Sequence, residues 1–145
     1  MQAILFVLLV GLAGGIAIGF QAPLSSMISQ RLGMIESVFI IHLGGTLVAL
    51  VPLMFMRGGR LGGWQQLPWY ALGAGAFGLV LITAISYTIP RLGAAATITL
   101  IVAGQLMVAL LLDHFGLLGM AVRPLQLPRL VGIAVVFAGV WLMVR

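Results

Sequence analysis

The sequence predicts an all-α integral membrane protein with five transmembrane helices, and three observations predict it. The composition is 63% hydrophobic and 6% charged over 145 residues, whereas an ordinary globular domain carries roughly 25% charged residues. The mean hydropathy is +1.28. The apolar residues fall in five continuous runs, each near the roughly 20 residues that cross a hydrocarbon core. A chain this small leaves a large share of its surface in contact with its surroundings, and seven basic and two acidic side chains cannot make that surface soluble. Runs that are continuous, not alternating, argue against a β-barrel.

The spans are expected at about residues 3–23, 35–56, 68–89, 92–112 and 128–144, within a single transmembrane domain of residues 1–145. The first lacks a basic leader and exceeds the apolar stretch of a usual signal peptide, so it is expected to be retained. On it Gly11, Gly15 and Gly19 recur every four residues and form one ridge, a pattern whose commoner use is close helix packing. Gly14 and Ala17 thin a neighbouring face that also carries Gln21. That amide either packs or faces a cavity.

The second span opens with Glu36, where a carboxylate complements the helix dipole. His42, Gly45, Thr46 and Ala49 share one of its faces, being three, four and seven residues apart. Imidazole at membrane depth generally faces protein or water, and it changes charge near neutral pH. His42 is therefore either an interhelical hydrogen-bonding group or a titratable, ligand-contacting one, with Glu36 as the second candidate for proton coupling. The segment RGGRLGGWQQLPW, residues 57–69, has the chemistry of a headgroup-level loop.

The third span begins at Pro68, where a first helical turn tolerates a missing N–H. It ends in a polar stripe of Thr83, Ser86, Tyr87 and Pro90, and the short link IPRLG is expected to separate it from the fourth. Gln105 is the one strongly polar side chain in the middle of that fourth span. A buried amide must find partners, so Gln105 is helix glue or a hydrogen-bonding group for a substrate. Asp113 and His114 follow, and Asp113 is expected to cap or to pair with an arginine. Residues 114–127 are long enough for an interfacial turn, and the last span starts at Pro128.

Several function classes drop out. Without cysteine there is no thiolate nucleophile, disulfide or Cys-based metal site. The pI near 11.6 comes from scattered arginines and not from a basic run, so nucleic acid is not an expected partner. One aspartate, one glutamate and two histidines lie far apart with no metal-ligand spacing. No catalytic constellation, metal or cofactor is expected, and the chain does not read as an enzyme. Arg57, Arg60, Arg123 and Arg129 would lie on one side of the membrane, and Arg31, Arg91 and Arg145 on the other. Four against three is hardly the bias that orients a chain. Either insertion order decides, or copies insert both ways and pair antiparallel.

The ordered pieces GGIAIGFQAPLSS, IHLGGTL, LPWYALGAGAFG, IPRLGAAATITLIVAGQ, LLDHFGLLG and RLVGIAVVFAGVWL cover nearly the whole chain. Together they resemble the YdcZ-type family of small bacterial inner-membrane proteins in the drug/metabolite transporter superfamily. The resemblance implies a five-helix half-transporter that forms an antiparallel, dual-topology homodimer, which fits the arginine balance. Two departures matter. Ser25 stands where many relatives carry Asn, and the first helix has no carboxylate of the kind small multidrug-resistance transporters use for proton exchange. The expected function is secondary transport, as exporter or exchanger, with alternating access at a midplane cavity between inverted copies.

Gln21, His42, Tyr87 and Gln105 are the expected pathway residues, for a neutral, zwitterionic or weakly cationic small molecule. The other reading is a non-transporting structural or accessory subunit whose polar residues are packing glue. A channel ranks third, because no ring of charged side chains is visible. Polar groups converging on a cavity favour transport, and dry packing favours the subunit.

Overall fold

The computed structural model describes the backbone of residues 2–145 and the side chains from residue 4 onward. The helices are α1 (Gln2–Leu32), α2 (Met34–Phe55), α3 (Trp69–Leu72), α4 (Ala74–Leu92), α5 (Ala94–Phe115) and α6 (Leu127–Val144). No strand occurs among the described residues. Five segments are long and apolar enough to cross a membrane, with α3 and α4 together forming the third, Trp69–Leu92.

The largest departure from the expected boundaries is at Pro23. The first helix does not stop there; it continues to Leu32. Pro52 and Pro90 likewise sit inside helices, so the expected Ile89–Gly93 break shrinks to Gly93 alone. Each proline removes one donor and crowds the carbonyl four residues earlier. In hydrocarbon, however, leaving the helix would strand several polar backbone groups with no water to receive them. Losing one hydrogen bond is the smaller loss, and the helix carries on.

Glycine, not proline, ends α1 and α4. Gly33 has φ 116° and ψ 161°, and Gly93 has φ 80° and ψ 165°, a region that essentially only glycine occupies. Both close the tripeptide Arg-Leu-Gly, at residues 31–33 and 91–93. The two turns share their hydrogen bonds. Gly33 N–H donates to Ser29 O at 3.0 Å and Ser37 N–H to Gly33 O at 3.1 Å; Gly93 N–H donates to Ile89 O at 2.9 Å and Thr97 N–H to Gly93 O at 3.2 Å. In both, the residue four after the glycine is a fully buried hydroxyl, Ser37 or Thr97. One turn has been used twice, which the boundary reading of the sequence did not detect.

The chain forms two compact units, Met1–Tyr87 and Thr88–Arg145, with the boundary inside α4. In the first, α2 packs on α1. The Ser37 hydroxyl ties them by donating to Ser25 O at 3.0 Å, and Gln30 Nε2 donates to Ser26 Oγ at 3.0 Å. The glycine ridge does not contribute to this packing. Among the described residues, a Cβ built on Gly11, Gly15 or Gly19 would meet no atom within 4 Å.

In the second unit α6 packs on α5. Thr99 Oγ1 lies 3.1 Å from Met143 Sδ, and at the opposite end Arg129 pairs with Asp113 at 3.8 Å. That pairing answers the expectation for Asp113. Asp113 stands near the positive end of α6 and Arg129 near the negative end of α5, so each charge meets the neighbouring helix's favourable pole. Both are about a third exposed, which limits the pair to roughly 0–1 kcal/mol. The connecting segment 116–126 turns at Gly116, φ 62°. It is held by Arg123 N–H donating to Asp113 O at 2.7 Å and by Leu125 N–H donating to His114 Nδ1 at 3.2 Å.

Two glycine substitutions separate turn strain from packing. A Cβ on Gly93 would meet nothing within 4 Å, so Gly93→Ala tests backbone strain alone and should destabilise by about 1–3 kcal/mol. Gly75 lies in α4 in equally open space; Gly75→Ala should be neutral or stabilising by up to about 1 kcal/mol. Thermal unfolding of both variants in detergent, followed by circular dichroism, measures the difference.

Candidate functional site

His42, Gly45, Thr46 and Ala49 lie along one stripe of α2, and that stripe forms a wall of a cleft. Gln21 of α1 and Gly78, Leu81 and Ile82 of α4 complete the lining with Ile41, and the volume is about 440 Å³. That falls in the range of roughly 300–1,000 Å³ found for small-molecule sites. All of these residues belong to the first unit.

The cleft's polar groups are few and fixed. His42 Nδ1 is 2.8 Å from Val38 O. A carbonyl only accepts, so Nδ1 carries the proton in this hydrogen bond. Thr46 Oγ1 donates to His42 O at 2.8 Å. Each bond closes back onto the turn of α2 below it, which orients the imidazole and the hydroxyl without help from another helix. Gly78 supplies the remaining constraint. A Cβ there would stand 2.5 Å from His42 Nε2, so the ring occupies space that only glycine leaves open.

Gln21 and His42 share the cleft; Tyr87, at the end of the first unit, and Gln105, in the second, are not among its lining residues. Glu36 sits in the first turn of α2, with its carboxylate against Gly33 and away from the cleft lining. Thr46, Gly45 and Ala49 were legible as His42's neighbours from helical spacing. Gly78 and Ile82 were not, because no periodicity within one helix says which residues of another will face it. No cluster of metal-ligating side chains occurs among the described residues.

A second cleft, of about 360 Å³, lies between α5 and α6. It is apolar apart from the Asp113–Arg129 pair at one end. Among the described residues, the hydroxyls of Ser25, Ser86 and Thr97 are buried with no hydrogen-bond partner. Ser25 is the position where Asn was the expected family residue. Its burial leaves little room for an amide, so here it serves the α1–α2 contact.

Comparison with known proteins agrees with an inner-membrane chain. The protein-family model described as "Putative inner membrane exporter, YdcZ" matches residues 6–142. Inner membrane protein YdcZ of Escherichia coli (strain K12) is 28% identical over 137 residues, covering 92% of this chain and 91% of the relative. No solved structure matches the chain.

The two histidines have opposite hydrogen-bonding patterns, and this is measurable. His42 Nδ1 donates, whereas His114 Nδ1 accepts from Leu125 N–H. Nitrogen NMR of histidine-labelled protein should show two neutral tautomers, Nδ1-protonated for His42 and Nε2-protonated for His114. Gly78→Ala should displace the His42 ring and remove the first signature only.

Proposed function

The chain belongs to the YdcZ family of multi-pass inner-membrane proteins, and on that premise we propose that it is a secondary transporter exporting a small molecule through an antiparallel homodimer. The observation that carries this reading is the cleft. Three polar side chains, Gln21, His42 and Thr46, line it beside the small residues Gly45, Ala49 and Gly78. Polar groups at membrane depth are costly when they face lipid, and they mark pathways more often than ordinary surface. The small residues beside them leave volume for a passenger.

Pairing two copies supports the same reading. Five spans are few for enclosing an aqueous cavity, while ten suffice, and inverted copies make inward and outward states equivalent by symmetry. The near-balanced arginines suit insertion in both directions. The Gly11–Gly15–Gly19 ridge, where an added Cβ would meet no described atom within 4 Å, offers a second copy's helix a close approach. In such a pair Tyr87 and Gln105 join the pathway, and His42 and Glu36 are the two candidates for proton coupling.

Reconstitution into vesicles containing only this protein, with exchange screened across metabolites and lipophilic cations, is the direct test. His42→Leu should insert normally and abolish exchange. Gln105→Leu should insert and dimerise normally yet lose exchange. Normal exchange with a weakened dimer in either variant would make that residue packing glue.

Orientation is tested separately. The sequence has no cysteine, so Gly62→Cys and Arg91→Cys each provide a single label site. A membrane-impermeant reagent should label a substantial fraction at both positions. Labelling at one and silence at the other would end the dual-topology reading.

A further inference from the structure

The hydrogen-bonding state of the cleft restricts what it accepts. Because His42 Nδ1 keeps its proton for Val38 O, 2.8 Å away, the neutral ring offers Nε2 as a lone pair with no hydrogen. Thr46 has given its hydroxyl hydrogen to His42 O at 2.8 Å, so its oxygen also offers lone pairs only. Gln21 alone brings donors, and its amide brings an acceptor as well. No arginine, aspartate or glutamate lines the cleft. The site therefore has acceptors in excess and no fixed charge.

From this imbalance we propose that the cleft selects an uncharged amphiphile carrying O–H or N–H donors, with a body small enough for about 440 Å³. The donors would engage Nε2 of His42 and Oγ1 of Thr46, and an acceptor on the ligand would meet the Gln21 amide. The apolar body would lie on Ile41, Ala49, Leu81 and Ile82. A ligand with acceptors only would leave Nε2 and the threonine oxygen unpaired and out of water, which is the expensive outcome for a polar site. A quaternary ammonium has neither a donor nor a carboxylate here to meet its charge. Narrowing the substrate class in this way rests on the export reading for its biological meaning, but not for its chemistry.

The test is binding, with transport measured separately. Phenol, 1-naphthol and 4-phenylphenol are each compared with their O-methyl ethers by equilibrium dialysis, against the full chain in nanodiscs and against empty nanodiscs. At least one alcohol should bind about tenfold more tightly than its ether, the factor expected for one net hydrogen bond. Thr46→Val, nearly the same shape, should reduce that ratio, and His42→Leu should reduce it further. Should His42→Leu fail to fold, Gly78→Ala displaces the same ring and must give the same loss.

Equal binding of alcohols and ethers, binding by none of the six, or tighter binding of tetraphenylphosphonium or a quaternary ammonium would overturn the proposal. An alcohol preference that vanishes in the variants upholds it even where vesicles show no exchange. In that case the export reading is what fails.

Discussion

Inside hydrocarbon a backbone N–H or C=O without a partner has no water to turn to, and the architecture of this chain follows from that constraint. Three prolines lie within helices; in a soluble protein each would be a natural place to stop. Here stopping would expose several polar groups where continuing loses one hydrogen bond. Helices α1 and α4 end instead where glycine takes a positive-φ conformation, at Gly33 and Gly93. The Arg-Leu-Gly turn at both sites keeps its backbone hydrogen bonds and puts a hydroxyl in full burial four residues on.

The same constraint shapes the cleft. His42 and Thr46 settle one polar group each against the carbonyls of their own helix. That arrangement needs no partner helix, and it leaves the imidazole Nε2 and the hydroxyl oxygen facing outward as acceptors. Gly78 on α4 then has to be small, because the ring stands where a methyl group would otherwise be. Side-chain chemistry on α2 thus determines what α4 is permitted to carry.

Burial is slight where a soluble protein would be most compact. The most apolar windows of α1 and α2 have no buried residues. Among residues buried in the first unit, Ser25, Ser26, Ser37 and Ser86 stand beside Ala22, Ile82 and Ile85. This is the inverse of a soluble core, and the reason is the solvent. Lipid already satisfies apolar surface, so helices meet through small and hydroxyl-bearing residues that allow close approach, and the large apolar side chains point outward.

The amino-acid sequence by itself determined the number of spans, the membrane class, the family and the neighbourhood of His42 on α2. Each of these depends on local composition, on ordered motifs or on 3.6-residue periodicity within one helix. The end of α1 at Leu32 in place of Pro23 was not legible, because it turns on weighing one lost hydrogen bond against several, a comparison that depends on the surrounding medium. Only the tertiary structure placed Gln21 and Gly78 beside His42 while leaving Tyr87 and Gln105 off the lining of that cleft. It alone showed open space beside Gly11, Gly15 and Gly19 among the described residues. Which faces of different helices meet is a matter of crossing geometry and side-chain volume, and a single apolar helix, lacking a strong polar face, carries almost no record of where its neighbours lie.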